Sequence, residues 1–217
     1  MSEPPATKEW DAQWGRVGRA LGEYSVATLH EAAEQKGALP AAIKPLSVEW
    51  KLCGPAYPVS CAPRDNLWLH RAIYAAPPGA VLVAETGGFY EAGYWGEVMT
   101  IAAMERRLGG LVLDGAVRDL ARLLALGFPI FARGVHILGT AKDPEARGGL
   151  NVSIRLGSVV VRPGDWVVGD ADGVVVVYEE DLETVVERAK QREDKEQEVI
   201  RRLRRGESTL SIYHLDP

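Results

Sequence analysis

Apolar residues recur at two different spacings along this chain, and the change from one to the other divides it. Between about residues 65 and 135, segments with apolar positions at helical spacing (LWLHRAIYAA, EVMTIAAMERR, RDLARLLALG) alternate with short, continuous apolar runs (AVLVAE, LVLD, FPIFARG). Runs of that length, stopped by Gly and Pro, read as strands buried on both faces. The alternation predicts parallel strand–helix–strand units. From Gly134 the rhythm changes. A polar, glycine-rich loop (AKDPEARGG) leads into SIRLGSVVVRPGDWVVGDADGVVVVYEE, where β-branched runs are separated by Arg-Pro-Gly-Asp and Asp-Ala-Asp-Gly. That is hairpin patterning. The two halves predict a mixed α/β fold, with a βαβ layer packed on a more antiparallel β layer.

The two ends differ from this body. Residues 1–15 are polar and read as a loosely held arm, with Trp10 and Trp14 as anchors. Ser25 predicts the cap of a helix, SVATLHEAAEQKG, that stops at Gly37. In SVEWKLCGPAYPVSC the β-branched and aromatic residues predict strands with a kink at Gly54-Pro55. From residue 179 to about 205 a long helix is expected, rich in charge and poor in apolar residues after Val186. A helix so polar is expected not to be buried in its own domain, and so to project into solvent or lie across a neighbouring subunit. The chain therefore divides into one domain, residues 1–178, and a C-terminal helix and tail, 179–217.

Composition narrows the partners. The chain has 217 residues, 47% of them hydrophobic, enough for one sizeable core, and a net charge of −5. An acidic balance gives no general reason to expect nucleic acid. The Arg201–Arg205 run follows an acidic stretch and reads as a solvated face. Cys53 and Cys61 lie in no CxxC or metal-binding spacing and read as reduced thiols. The N-terminus carries no apolar signal segment, and no run approaches a membrane span. The expectation is a soluble, cytoplasmic protein with no membrane partner.

The candidate chemistry lies between Gly93 and Asp119. Glu97 opens one helix and Arg118-Asp119 opens the next, with a buried strand between them. A carboxylate at a helix start is favoured by the helix dipole whatever its function, and Arg118 could serve only to pair with Asp114. Together the residues mean more. Two helix starts expose unpaired N–H groups that suit an anion, and Gly96 allows a ligand close to the amides of Glu97, Val98 and Met99. Arg118 can grip a carboxylate or carbonyl through paired donors, and Asp119 supplies an oxygen suited to Mg²⁺. The set fits a divalent metal and a 2-oxo acid.

Other chemistries lack their motifs. There is no GxxxxGK[ST], HExxH or GxSxG, and no GxGxxG opens a helix after a strand. A Schiff-base lysine would have to be Lys51, the one lysine in an apolar run. His30 and His136 read as structural.

Gly96-Glu97, twenty residues, then Arg118-Asp119 resembles the G-[DE]-x20-R-D signature of RraA-like proteins. The resemblance extends over Ser25–Glu31, Gly127–Pro129, Gly157-Ser158, Arg162–Asp165 and Gly169–Val174. That family contains metal-dependent 4-hydroxy-4-methyl-2-oxoglutarate / 4-carboxy-4-hydroxy-2-oxoadipate aldolases and the regulator of ribonuclease E activity. The resemblance implies a three-layer β/β/α fold, assembled as homotrimers or hexamers with sites between subunits. It implies that Gly96, Glu97, Val98, Met99 and Arg118 bind a pyruvate unit and that Asp119 is the one direct ligand of Mg²⁺, with Mn²⁺ or Co²⁺ as alternatives. Glu97 would steer a water acting as base or proton donor. A C-terminal glutamate, Glu196 in preference to Glu193, would reach the metal through water from the adjacent subunit. The implied activity is class II pyruvate aldolase, with oxaloacetate decarboxylation as a side activity because both pass through pyruvate enolate. The alternative is a non-catalytic regulator of ribonuclease E. Methyl transfer to a menaquinone precursor, also attached to this family, is disfavoured because no cofactor loop follows the early strands.

Overall fold

The computed structural model describes residues 10–215. Helices α1 (Trp10–Leu21) and α2 (Val26–Ala32) come first, then a two-residue strand β1 (Lys44–Pro45) and the long strand β2 (Leu52–Ser60). Next follow α3 (Leu67–Ala75), β3 (Val81–Glu85), β4 (Gly93–Trp95), α4 (Glu97–Glu105), β5 (Gly110–Val117), α5 (Leu120–Leu126) and β6 (Ile130–Val135). The two-residue β7 (Gly149–Leu150) precedes two hairpins, β8 (Ile154–Leu156) with β9 (Val159–Val161), and β10 (Trp166–Asp170) with β11 (Gly173–Val177). A 3-10 turn at Glu179–Asp181 leads into α6 (Leu182–Arg204), and α7 (Thr209–Ile212) follows.

The main sheet runs β1-β6-β5-β3-β2-β10-β11, with β4 on β5 and β7 on β2. β2, β3, β5 and β6 are mutually parallel, joined through α3, α4 and α5 as the alternation predicts. The chain just before β1 meets β11, where Leu39 N donates to Val174 O at 3.0 Å, so the sheet curls until it nearly closes. Three apolar clusters fill the result. One lies between α3–α5 and the parallel strands; one lies inside the curl, under the β8–β9 hairpin; the third joins α1, α2 and α6 to the outer face of β10–β11. The β/β/α layering is therefore present, with the terminal helices added outside it.

The two halves share one continuous sheet. β2 joins them, pairing through Leu52–Pro55 with β10 and through Ala56–Ser60 with β3. The change of partner falls at the kink read from Gly54-Pro55. A Cβ on Gly54 would press on Gly79 O and Val81. Arg162-Pro163-Gly164-Asp165 is likewise not a hairpin turn but the passage from the small β8–β9 sheet into β10. Asp165, 1% exposed, fixes that passage by accepting from Arg162 N at 2.8 Å and Glu179 N at 3.2 Å.

Both ends require correction. The arm becomes helix from Trp10 onward, with Leu21 buried and Val17 packed beside it on the terminal-helix cluster; residues 1–9, and the Trp10 and Trp14 side chains read as anchors, lie outside what is described. Cys53 Sγ donates to Gly18 O at 3.2 Å, and Gly18 rests on the Trp166 ring, where a side chain would not fit. α2 is capped by Ser25, which accepts from Thr28 N at 3.1 Å, but it ends at Ala32 rather than Gly37. Glu34 and Gln35 take positive φ there, turning the chain toward β11, where Val176 N donates to Gly37 O at 2.9 Å. α6 does bury a face in its own domain. Leu182, Val185 and Ala189 pack on α1, α2 and the β10–β11 hairpin, and only the half after Arg192 is largely solvated.

Candidate active site

β5 (GLVLDGAV) is buried along its whole length, as its apolar run requires between β3 and β6. Near its carboxyl end the register with β6 slips between Leu113 and Ala116, a local irregularity of the sort that re-aims a strand beside a functional site. β4 joins this end, with Trp95 opposite Val117 and Arg118 N donating to Trp95 O at 2.9 Å. The strand ends thus bring the starts of α4 and α5 side by side.

Gly96 is the N-cap of α4 and has no side chain with which to cap it. Asp119 does so from the neighbouring element. Its Oδ2 accepts from Glu97 N at 3.1 Å. Asp119 is itself the N-cap of α5 in the left-handed region (φ 64°, ψ 33°) and makes no side-chain bond to its own helix. A non-glycine residue held there costs on the order of 1–3 kcal/mol and persists only where its surroundings enforce it. The glycine at 96 is required by proximity, since a Cβ would run into Asp119 Oδ2. Trp95 Nε1 donates to Thr100 Oγ1 at 2.7 Å and Thr100 Oγ1 to Gly96 O at 3.1 Å, fixing the first turn of α4. The amides of Val98 and Met99 in that turn have no intrahelical acceptor.

These groups line a cavity of about 240 Å³. One side is Gly96, Val98, Met99, Arg118 and Asp119; the other includes Asn66, His70 and Lys142. Arg118 makes no ion pair with the described residues. Asp114, its suggested structural partner, is held instead by Arg133 at 2.6 Å, which stacks on Tyr90. Burial, and then the nearby Lys142, hold the His70 imidazole below its ordinary pKa, with Asp65 opposing them. Asn66 Nδ2 donates to Tyr94 O at 2.8 Å, tying α3 to β4. Its Oδ1 is buried and has no partner among the described residues. An unsatisfied buried acceptor costs about 1–3 kcal/mol.

The structure brings together Gly96, Val98, Met99, Arg118 and Asp119 from the expected set. Glu97 contributes its amide, but its carboxylate lies outside the cavity wall, 4.0 Å from Arg122. Glu196 is also outside the wall and pairs with Arg192 at 3.1 Å within α6. Asn66, His70 and Lys142 were not read from the sequence as site residues. Asp65 stands just before α3 and accepts from Leu67 N, the first residue of that helix, and also from Asp143 N, at 2.8 and 2.7 Å. That second bond carries Lys142 to the cavity. His136 Nδ1 accepts from Leu138 N at 3.1 Å, a local structural bond. Lys51 is exposed rather than desolvated. Burial pushes the thiols of Cys53 and Cys61 up to about 12, so they are poor nucleophiles. Arg201 and Arg202 pair with Glu198 and Glu207, as a solvated face requires.

Asp119 suits a divalent cation because its Oδ1 has no hydrogen-bond partner among the described residues. No group of three or more His, Cys, Asp or Glu gathers among them, so a cation there would complete its shell with water and ligand oxygens, as Mg²⁺ readily does. No described helix is long and apolar enough to cross a membrane.

The RraA-like family model, described as Aldolase/RraA, matches residues 26–176, a span that contains every residue of the cavity wall. This chain belongs to the RraA-like family. A protein of Halalkalibacterium halodurans, provisionally named 4-hydroxy-4-methyl-2-oxoglutarate aldolase, is 40% identical over 155 residues, 71% of this chain and 73% of its own. An uncharacterized protein of Methanocaldococcus jannaschii is 34% identical over 205 residues, 93% of this chain and 96% of its own. Among solved structures, Streptomyces coelicolor RraAS2, described as an unusual member of the RNase ES inhibitor RraA protein family, has a TM-score of 0.76 at 29% identity. It covers 87% of this RraA-like chain and 98% of its own.

Proposed function

We propose that this RraA-like protein is a divalent-metal-dependent pyruvate aldolase. It would cleave a 4-hydroxy-2-oxo dicarboxylic acid such as 4-hydroxy-4-methyl-2-oxoglutarate into pyruvate and a second 2-oxo acid, and would decarboxylate oxaloacetate as a side activity. The observation that carries the proposal is the divided use of Asp119. One oxygen caps α4 while the other has no partner among the described residues, beside an Arg118 that makes no ion pair among them and the open first turn of that same helix.

The first-turn amides of Val98 and Met99 suit the carboxylate of the pyruvate unit at the positive end of α4. Arg118 suits the 2-oxo oxygen, where it would stabilise the negative charge that develops as the C3–C4 bond breaks. A divalent cation held by Asp119 would supply Lewis-acid polarisation of the same group, worth several kcal/mol. Lys142 adds a second cation to the wall, and that favours a dicarboxylic over a monocarboxylic substrate. The carboxylates of Glu97 and Glu196 lie outside the wall in a single chain. A part for Glu196 therefore depends on the terminal helix of a neighbouring subunit, in the trimer or hexamer expected of the family.

Two variants test the proposal. Asp119→Ala should abolish metal-dependent turnover, and Arg118→Ala should remove most activity with the fold intact. Rates like the wild type in both would refute it. The likeness to RraAS2 supports a second reading, a protein that binds a ribonuclease and inhibits it. Capture of a ribonuclease unaffected by chelator, with no pyruvate formed, would favour that reading.

A further inference from the structure

Glycines accompany the Arg118 side chain from its root to its tip. A Cβ on Gly93 would lie 3.0 Å from Arg118 Cβ and 3.3 Å from its Cδ, and a Cβ on Gly96 would lie 3.3 Å from its Cγ. At the far end, a Cβ on Gly139 would lie 3.8 Å from Arg118 Nη1. The stem therefore runs in a trough between β4 and the start of α4, and Gly139 stands beside the guanidinium. The strand ends fix that placement. His136 N donates to Val117 O and Gly93 N to Leu138 O, both at 2.8 Å. The segment after β6 is thus pinned to β5 and β4 up to the residue before Gly139.

Gly139 differs from the other glycines whose surroundings are described. Each of those either has a positive φ or would bring a Cβ to 3.0 Å or less from a neighbour. Gly139 does neither. It is exposed, its φ is not positive, and beyond its chain neighbours Arg118 Nη1 is the one described atom within 4 Å of a Cβ there. An ordinary side chain would fit and would lower the entropy of the unfolded chain. What such a side chain would change is the company of the guanidinium. A carboxylate in that place would hold it through charge-assisted, paired bonds, and an amide would hold it more weakly. We infer that Gly139 is a positioning residue for Arg118: by offering no side-chain acceptor, it leaves the guanidinium at the end of its trough free to grip the 2-oxo acid. The inference rests on the aldolase reading above, which gives Arg118 a 2-oxo acid to hold, and adds the residue that keeps it available.

The test compares Gly139→Ala with Gly139→Asp and Gly139→Glu, the acidic variants also in an Arg118→Ala background, with thermal melting to establish folding. Two quantities are read with Mg²⁺ present. One is kcat for pyruvate release from 4-hydroxy-4-methyl-2-oxoglutarate; the other is the calorimetric affinity for oxalate, whose paired oxygens match those of pyruvate enolate. Gly139→Ala should melt no lower than the wild type and stay within about twofold of it in both quantities. At least one acidic variant is expected to lose about tenfold or more in both, by capturing donors that Arg118 would turn to the ligand. In the Arg118→Ala background the same substitution should change little, which separates pairing with Arg118 from general repulsion of an anionic ligand. Equal losses in both backgrounds, acidic variants like the wild type, or Gly139→Ala as impaired as they are would overturn the inference. A wild type that binds oxalate and releases no pyruvate would remove the aldolase reading, and the oxalate series would still decide the part of Gly139. A wild type that does not bind oxalate would overturn the inference.

Discussion

Asp119 serves two helices, α4 with its side chain and α5 with its backbone carbonyl, and takes a left-handed backbone to do so. Asparagine tolerates that conformation and can still accept from Glu97 N, but it carries no charge for a cation. Asp119→Asn should therefore keep a melting temperature within a few degrees of the wild type while losing metal-dependent pyruvate release by about 10²-fold or more. Equal loss of stability and activity would show that the residue is only a cap. Gly96→Ala should damage both, because its methyl meets Asp119 Oδ2; overpacking of this kind costs about 1–3 kcal/mol, readable by urea unfolding. His70 has its pKa lowered from 6.5 by burial and by Lys142. Between the lowered value and 6.5 the unfolded chain binds the extra proton, so stability from this group is complete above 6.5 and is lost as pH falls below it. His70→Gln should flatten the fall in melting temperature between about pH 6.5 and 5 relative to the wild type. The Glu97 to Arg118-Asp119 half of the cavity was legible because two helix starts and a glycine announce themselves locally. Asn66, His70 and Lys142 were not, because only the Asp65–Asp143 bond and the packing of α3 bring them there.

At the scale of elements, the βαβ core followed from spacing because each apolar run is short and each helix has one apolar face. The passage at Arg162–Asp165 was misread because a tight turn has the same composition whether it closes a hairpin or joins two sheets; the buried Asp165 decides it. α6 was misread through its average polarity, which conceals Leu182, Val185 and Ala189 on one stripe. Those residues, rather than the ion pairs Arg188–Glu34 and Arg192–Glu31, hold the helix to α2. Val185→Asp should cost roughly 3 kcal/mol or more by burying an unpaired charge, whereas Arg188→Ala, at an exposed pair, should cost less than about 1 kcal/mol. Urea unfolding of the two variants separates these expectations.

At the scale of the whole molecule, one curled sheet carries the candidate site at the carboxyl end of β5, with the terminal helices on a different face. The far half of α6 lies outside the site of its own chain. A chain ending after Gln191 keeps the buried stripe and should fold, and it should lose activity if a partner's helix completes the site. Full activity from that truncated chain would remove Glu196 from the proposal. The most direct measurement is pyruvate release from 4-hydroxy-4-methyl-2-oxoglutarate with Mg²⁺ present, then with excess chelator, then with Mg²⁺ restored. Release that stops with chelator and returns with the metal is the expected result. Pyruvate formed equally well in chelator, or not formed at all, would contradict a metal-assisted aldolase built on Asp119 and Arg118.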